Sequence, residues 1–301
     1  MAIPAPGTPL KLSSIADEFG GTPPDNLSEY YRGGGLVPNT PTNANVPTSG
    51  AIRIGNFYGA QNRNAVNIVV SFNTQSLNVY SQAVASPSYV AGNTDITVTV
   101  NPGVVVGSTG VPAYALLVPS QFNPADTVTI VNNGLITGSG GGGGRGAGGS
   151  LSFPVPSLPG AAGGNALFIA RPTTITNNGT VAGGGGGGGG GNQTLFLTSV
   201  AIGSGGGGGA GFVAGVGGPA GPGGTTPANG TPGSPGSPTV GGPGGSGPNG
   251  SVGGKGGDSG QAGAAGSSPN GGAPGGAAGN YIVGNSFVTW PVTGSRLGGA
   301  S

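Results

Sequence analysis

Apolar and polar positions alternate along Thr94-Asp-Ile-Thr-Val-Thr-Val100, a period of two that puts Ile96, Val98 and Val100 on one buried face. Short β-branched runs at Val66–Phe72, Leu77–Tyr80, Val104–Val106 and Ala115–Val118 predict further strands, with Asn101-Pro-Gly103 as a turn between two of them. Strands at this spacing predict a small β-sandwich-like domain. Upstream the period is helical. Ser14-Ile-Ala-Asp17 reads as a capping-box start, Ile15 and Phe19 share a face, and Gly20 suits a C-terminal stop. Asp25 to Gly33 repeats the design, with Asp25 as cap, Leu27, Tyr30 and Tyr31 on the apolar side and Gly33 as terminator. Both helices span about two turns, too short to persist unless they pack on each other, on Ile52–Gly59 or on a partner.

Beyond residue 125 the pattern becomes repetitive. Val128-Thr-Ile-Val-Asn-Asn-Gly-Leu-Ile-Thr-Gly138 aligns with Thr174-Ile-Thr-Asn-Asn-Gly-Thr-Val-Ala-Gly183. Each copy predicts a strand, an Asn-Asn-Gly hairpin turn and a second strand, because Asn and Gly tolerate positive φ. Oligoglycine follows each, at Gly140–Gly144 and Gly183–Gly191, and a third tract, Gly205–Gly209, follows Leu195–Ile202. From Gly218 to Gly275 every third position is Gly in 15 of 20 cases, and the breaks, Pro227, Thr239, Pro248, Ser251 and Pro269, sit in turn-like clusters. Such a period signals polyproline-II geometry, and interruptions at turns argue against one long collagen-like triple helix. A polyglycine-II-type helical bundle within one chain is the expected form, with a disordered linker as its rival. Tyr281–Val292 restores large residues, includes the single Trp, and predicts one final strand closing the array; Tyr281, Phe287 and Trp290 as ligand-contacting aromatics are the alternative.

The expected fold is therefore mainly β with irregular glycine-rich structure. A small N-terminal helical attachment module (1–60) precedes the β domain (61–125), the glycine-rich array (126–280) and the closing strand (281–301).

Composition narrows the function. Only 5% of residues are charged and the formal net charge is +1, so no cluster of cations exists to neutralise phosphates, and nucleic-acid binding is excluded. Neither Cys nor His occurs, which removes disulfides, thiolate catalysis and histidine acid–base chemistry. The N-terminus shows no secretion signal and no apolar run approaches membrane-spanning length, so no membrane insertion is expected. Gly253-Gly-Lys-Gly-Gly-Asp258 lacks the Ser/Thr and helix of a phosphate loop. The seven acids are scattered, unlike paired glycosidase carboxylates or calcium loops. No catalytic residue, cofactor or metal site is predicted. Binding is better served by polar array turns at Thr226, Asn229, Ser237, Thr239, Asn249, Ser251, Ser268 and Asn270, unless these merely reverse the chain.

Leu12–Gly21, Leu27–Gly35 and Gly50–Gly59 together resemble the N-terminal module of tailed-bacteriophage fibre and tail proteins, and the Thr-Ile-Thr-Asn-Asn-Gly-x-Val-x-Gly unit and period-three region are similar to the glycine-rich region of phage tip adhesins. The resemblance implies a tail fibre or tail-tip adhesin, made in the host bacterial cytoplasm and carried in the virion tail. It would bind a host outer-membrane protein or surface glycan. Other virion proteins would attach through the N-terminal module, at Phe19, Tyr30, Tyr31, Phe57 and Tyr58, and a homo-oligomer, first of all a trimer, is the expected assembly. The alternative is a purely structural baseplate, neck or capsid-surface protein with no receptor.

Overall fold

A computed structural model describes the chain except for residues 1, 2, 5, 23, 24, 151, 196–199, 224–228, 248 and 249. Its strands do not make a sandwich. They form three five-stranded sheets whose members arrive in strict rotation along the sequence. The first sheet takes Asn64–Val70, Thr94–Val100, Thr127–Asn132, Thr173–Asn177 and Val288–Val292. The second takes Thr74–Gln75, Val105–Gly107, Leu135–Thr137, Thr180–Ala182 and Ser295–Leu297, and the third Leu77–Asn78, Leu116–Val118, Leu167–Ile169, Asn280–Val283 and Gly299–Ala300. The pairings that define the second and third sheets are parallel, as in Leu116 opposite Leu167 and Leu135 opposite Thr180. This is a coil in which each turn stacks on the one before, burying continuous rows of Val, Ile and Leu.

Contacts divide the chain into two compact units: residues 1–68, 80–98 and 121–129 in one, and 69–79, 99–120 and 130–301 in the other. In the first unit, α1 (Leu12–Phe19) starts earlier than its sequence signal because Lys11 caps it in extended conformation without a side-chain bond. Gly20, at φ 76°, ends it as expected. The second expected helix shortens to one 3-10 turn, Leu27–Tyr30, capped by Asn26 rather than Asp25. Asp25 instead accepts from the Tyr30 hydroxyl at 3.0 Å. Ile15, Phe19, Tyr30, Val37, Val46 and Phe57 form this unit's core, with the Tyr30 and Phe57 rings edge to face at 6.2 Å. Tyr80, expected to end a strand, lies in α2 (Val79–Val84).

In the second unit the sequence repeat acquires its meaning. Neither Asn-Asn-Gly makes a hairpin. Asn132-Asn-Gly134 and Asn177-Asn-Gly179 are equivalent corners on adjacent turns, linking a first-sheet strand to a second-sheet strand. The hairpin expectation fails because each corner's strands pair with the turns above and below, not with each other. Asn132 and Asn177 are fully buried. Asn132 Nδ2 donates to Asn177 Oδ1 at 2.8 Å, and Asn177 Nδ2 donates to the carbonyls of Thr293 and Ser295 at 2.8 and 3.1 Å. One side chain thus clips each corner to the next.

The expected β-sandwich followed by a polyglycine-II-type helical bundle is accordingly corrected: the regular elements are parallel sheets, and the glycine tracts are excursions from the coil. All the long ones leave at one corner, between the second and third sheets. That connection is residue 76 on the first turn, then 108–115, then 138–166, then 183–279, and finally Gly298 alone. The predicted final strand is likewise split, into Asn280–Val283 and Val288–Val292, by Gly284 at φ 89° and a 3-10 turn.

Within the excursions the backbone bonds to itself. Along 183–191, successive N–H groups point in rotation to three neighbouring segments. Gly184, Gly187 and Gly190 donate to Gly164, Ala161 and Leu158; Gly185, Gly188 and Gly191 to Ala210, Gly207 and Ser204; Gly186 and Gly189 to Gln261 and Ala264. Three other segments donate back, for example Gly144 to Gly188, Gly254 to Gly189 and Gly276 to Gly187, at 2.7–2.8 Å. A Cβ added at any residue from Gly184 to Gly190 would stand closer than 3.0 Å to a neighbour's carbonyl oxygen. Glycine is demanded here by close approach. Each such bond stabilises by only about 1 kcal/mol net, and ordering a glycine costs about as much, so only segments bonded on several sides persist.

Two outcomes follow. Gly187→Ala should destabilise by about 2 kcal/mol through overpacking, whereas Gly55→Ala, where an added Cβ meets nothing within 4 Å, should stay within about 0.5 kcal/mol in the same denaturant titration. Asn177→Ala should cost about 2–3 kcal/mol by the same measurement, since it strands the carbonyls of Thr293 and Ser295 and leaves Asn132 Nδ2 only its bond to the Thr180 carbonyl.

Candidate functional site

The hydrogen bonds fix which end of the glycine excursions faces away from the coil. Segments 138–149 and 183–191 both leave the coil and run in register, Gly141 donating to Gly185 and Ala147 to Gly191. The segments that follow alternate inward and outward, pairing Gly191 with Ser204, Gly218 with Gly233, Ser246 with Thr231, Val252 with Ser267, and Gly266 with Ala273. Residues 148–150, 152–157, 192–195, 200–203, 223, 229–230, 247, 250–251 and 268–271 therefore gather at the far end. Reversals at 211–213, 238–240 and 259–260 return to the coil side.

This ordering divides the turn residues singled out in the sequence. Asn229, Ser251, Ser268 and Asn270 belong to the far end, while Ser237 and Thr239 belong to the coil side. Thr226 and Asn249 lie outside the described residues. Ser251 is 1% exposed, and its hydroxyl donates to the Asn192 carbonyl at 2.9 Å, so it is structural in place. Ser268 is half-buried, and its hydroxyl binds within the turn to the carbonyl of Gly271. Asn229 and Asn270 are exposed. Asn270 is held by its neighbours: its carbonyl accepts from Asn192 Nδ2 at 3.0 Å, and its Nδ2 donates to the Gln193 carbonyl at 3.4 Å.

Sequence reasoning missed an exposed large hydrophobic side chain at the far end. Phe153 is 79% exposed, on a loop pinned where Pro154–Val155 pairs antiparallel with Gly148–Gly149. The available signal was Leu151-Ser-Phe-Pro-Val-Pro156, an apolar, proline-bearing interruption between glycine tracts. A second pair of short antiparallel strands, Thr194–Leu195 with Val200–Ala201, also lies at the far end. On the coil side, Asp258 accepts from Lys255 at 2.8 Å and from the Gly241 N–H at 2.9 Å, and these bonds hold its carboxyl below the usual range.

The aromatic residues proposed for attachment divide too. Phe19, Tyr30 and Phe57 are core residues of the first unit, 4% exposed or less. Tyr31 and Tyr58 are half-buried, and their hydroxyls donate to the carbonyls of Gly50 and Thr8. Among Tyr281, Phe287 and Trp290, the guanidinium of Arg296 lies 5.5 Å from the Tyr281 ring and 5.1 Å from the Trp290 ring, and Phe287 is exposed. Among the described residues, no group of three or more His, Cys, Asp or Glu could hold a metal, and no helix is long and apolar enough to cross a membrane.

The sequence profile of the phage tail fibre adhesin Gp38 matches residues 65–301, most of the chain, with all of its glycine excursions and all but the first residue of its coil. The chain belongs to that family. It is a component of the virion tail, and its family role is adhesion to the host, which decides against the purely structural alternative. No curated protein matches the chain. Among solved structures, the gp37–gp38 adhesin tip complex of the bacteriophage S16 long tail fibre is similar at 22% identity and a TM-score of 0.49, covering 98% of this chain and 99% of that one. In this Gp38-family chain the profile covers the far-end loops and begins after the aromatic core residues Phe19, Tyr30 and Phe57.

Burial, then the Asp25 bond and the nearby carboxylates of Asp25 and Glu29, push the Tyr30 phenol up to about 12 from 10.0. The unfolded phenol ionises near 10 while the folded one resists, so this contribution to stability is complete below pH 10 and is lost as pH rises toward 12. Thermal melts from pH 9 to 12 should show the first unit of the wild type losing stability more steeply than Tyr30→Phe.

Proposed function

We propose that the far-end loops of the glycine excursions, centred on Phe153, Asn229 and Asn270, are the surface that contacts the host receptor. The observation that carries this reading is an exposed aromatic among small polar residues on backbone fixed by hydrogen bonds. Rigid aromatic anchors beside adaptable Asn and Ser are the composition of recognition loops elsewhere, and a stiff support removes the cost of ordering them on binding. An exposed Phe favours a protein of the bacterial outer membrane over a glycan as the far-end receptor. Ser237 and Thr239, on the coil side, take no part.

The first sixty residues serve as the attachment module to other virion proteins, with Tyr31 and Tyr58 as its surface aromatics and Phe19, Tyr30 and Phe57 supporting them from the core. Residues 61–125 join it to the glycine-rich region 126–280, and 281–301 close the coil. A homotrimer is the assembly proposed, and adhesion proceeds without a catalytic step, in keeping with scattered acids and the lack of His and Cys.

Purified full-length chain should compete with phage for adsorption to host cells. Phe153→Ala should weaken that competition by about tenfold or more, as loss of a central anchor does, and Asn270→Ala by less. Thr239→Ala should compete as the wild type does. Equal competition by Phe153→Ala and the wild type would overturn the placement of the receptor surface.

A further inference from the structure

A second polar site lies in the first unit, apart from the far-end loops. Thr42, Gln61, Arg63, Asp95, Thr97 and Thr129, with Thr127, line a cleft of about 340 Å³, within the size range of small-molecule sites. Its floor is a closed network. Asp95 Oδ1 accepts from Arg63 Nε at 2.8 Å and from the Thr127 hydroxyl at 2.7 Å, and Asp95 Oδ2 accepts from the Thr42 hydroxyl at 3.2 Å. Arg63 Nη2 donates to the carbonyls of Thr94 and Ala125 at 3.0 and 2.9 Å. The one cation and the one anion of the cleft are therefore spent on each other, and a charged ligand finds no unpaired opposite charge.

The rest of the lining is unspent. Among the described residues, the hydroxyls of Thr97 and Thr129 and the side-chain amide of Gln61 have no hydrogen-bond partner in the protein. Thr97 and Thr129 stand on the wet face of adjacent first-sheet strands, where the alternation that buries Ile96, Val98, Val128 and Ile130 turns them outward. Each threonine offers a methyl group beside its hydroxyl. No aromatic ring or large aliphatic side chain lines the cleft, so nothing there would anchor an apolar peptide side chain.

We propose that this cleft is a saccharide subsite for one neutral pyranose unit, whose C–H face would rest on threonine methyls while its hydroxyls pair with Thr97, Thr129 and Gln61. It would add a weak glycan contact independent of the far-end loops, and several such contacts displayed together on a virion multiply in avidity.

Ligand-observed saturation-transfer NMR on the full-length chain would test this, using methyl α-glucopyranoside, methyl α-mannopyranoside and N-acetylglucosamine, with glycerol as an acyclic polyol control. At least one pyranoside should receive saturation at its ring C–H protons, while glycerol receives none. Thr97→Val/Thr129→Val should weaken that binding about tenfold, and Gln61→Ala, which leaves the sheet untouched, should weaken it in the same direction. Phe153→Ala should leave it unchanged, which separates this site from the receptor surface. Absence of transfer to every pyranoside, equal transfer to glycerol, or transfer that persists in both cleft variants would overturn the proposal.

Discussion

The hydrogen bond from one glycine backbone to another is the interaction on which the distal part of this protein depends. Side chains bury almost nothing there. What holds segments 183–191 and 203–211 is that each N–H finds a carbonyl on a neighbouring segment, except that of Ser204, which donates to the Ser251 hydroxyl. The close approach this needs leaves no room for a Cβ, as the carbonyl oxygens crowding Gly184 to Gly190 make plain. Composition and geometry are thus one constraint. A chain with 5% charged residues has no other way of keeping so much buried backbone satisfied.

The coil supplies the starting condition. Its turns stack in parallel, so the corners between the second and third sheets fall in line, and the connections 138–166 and 183–279 leave side by side. The first segments of the two excursions then meet in register without a long search, which lowers the loop-closure cost of assembling contacts distant in sequence. The buried Asn132–Asn177 pair and the rows of Val, Ile and Leu keep that corner aligned. The far-end loops thereby stand on a support made of backbone hydrogen bonds.

Much of this was legible in the sequence, and what was not has a physical reason. Alternation in Thr94–Val100 correctly named its buried face, and Ile15 and Phe19 correctly named the inner side of α1. The pairing of strands was not legible. Asn-Gly between β-branched residues signals a hairpin when only neighbours in sequence are weighed, whereas Asn132 and Asn177 meet across 45 residues. Short strands bonded on both edges to other turns give the same local pattern as a sandwich. Turn chemistry singled out Asn229, Asn270 and Thr239 alike and could not tell that the first two stand at one end of the excursions and the third at the other, and it passed over Phe153 because an exposed aromatic looks like a core residue until its surroundings are known. The same ambiguity made Phe19, Tyr30 and Phe57 look like a docking surface.

The glycine segments are a fixed, mutually bonded scaffold and not a tether. Native-state hydrogen exchange on the amides of Gly184–Gly190 tests it most directly. These amides should be protected to a degree comparable with the coil strands Leu167–Ile169 and Thr180–Ala182, and all should be released together on unfolding. Exchange of Gly184–Gly190 at the rate of an unstructured glycine chain, while the coil strands remain protected, would contradict it.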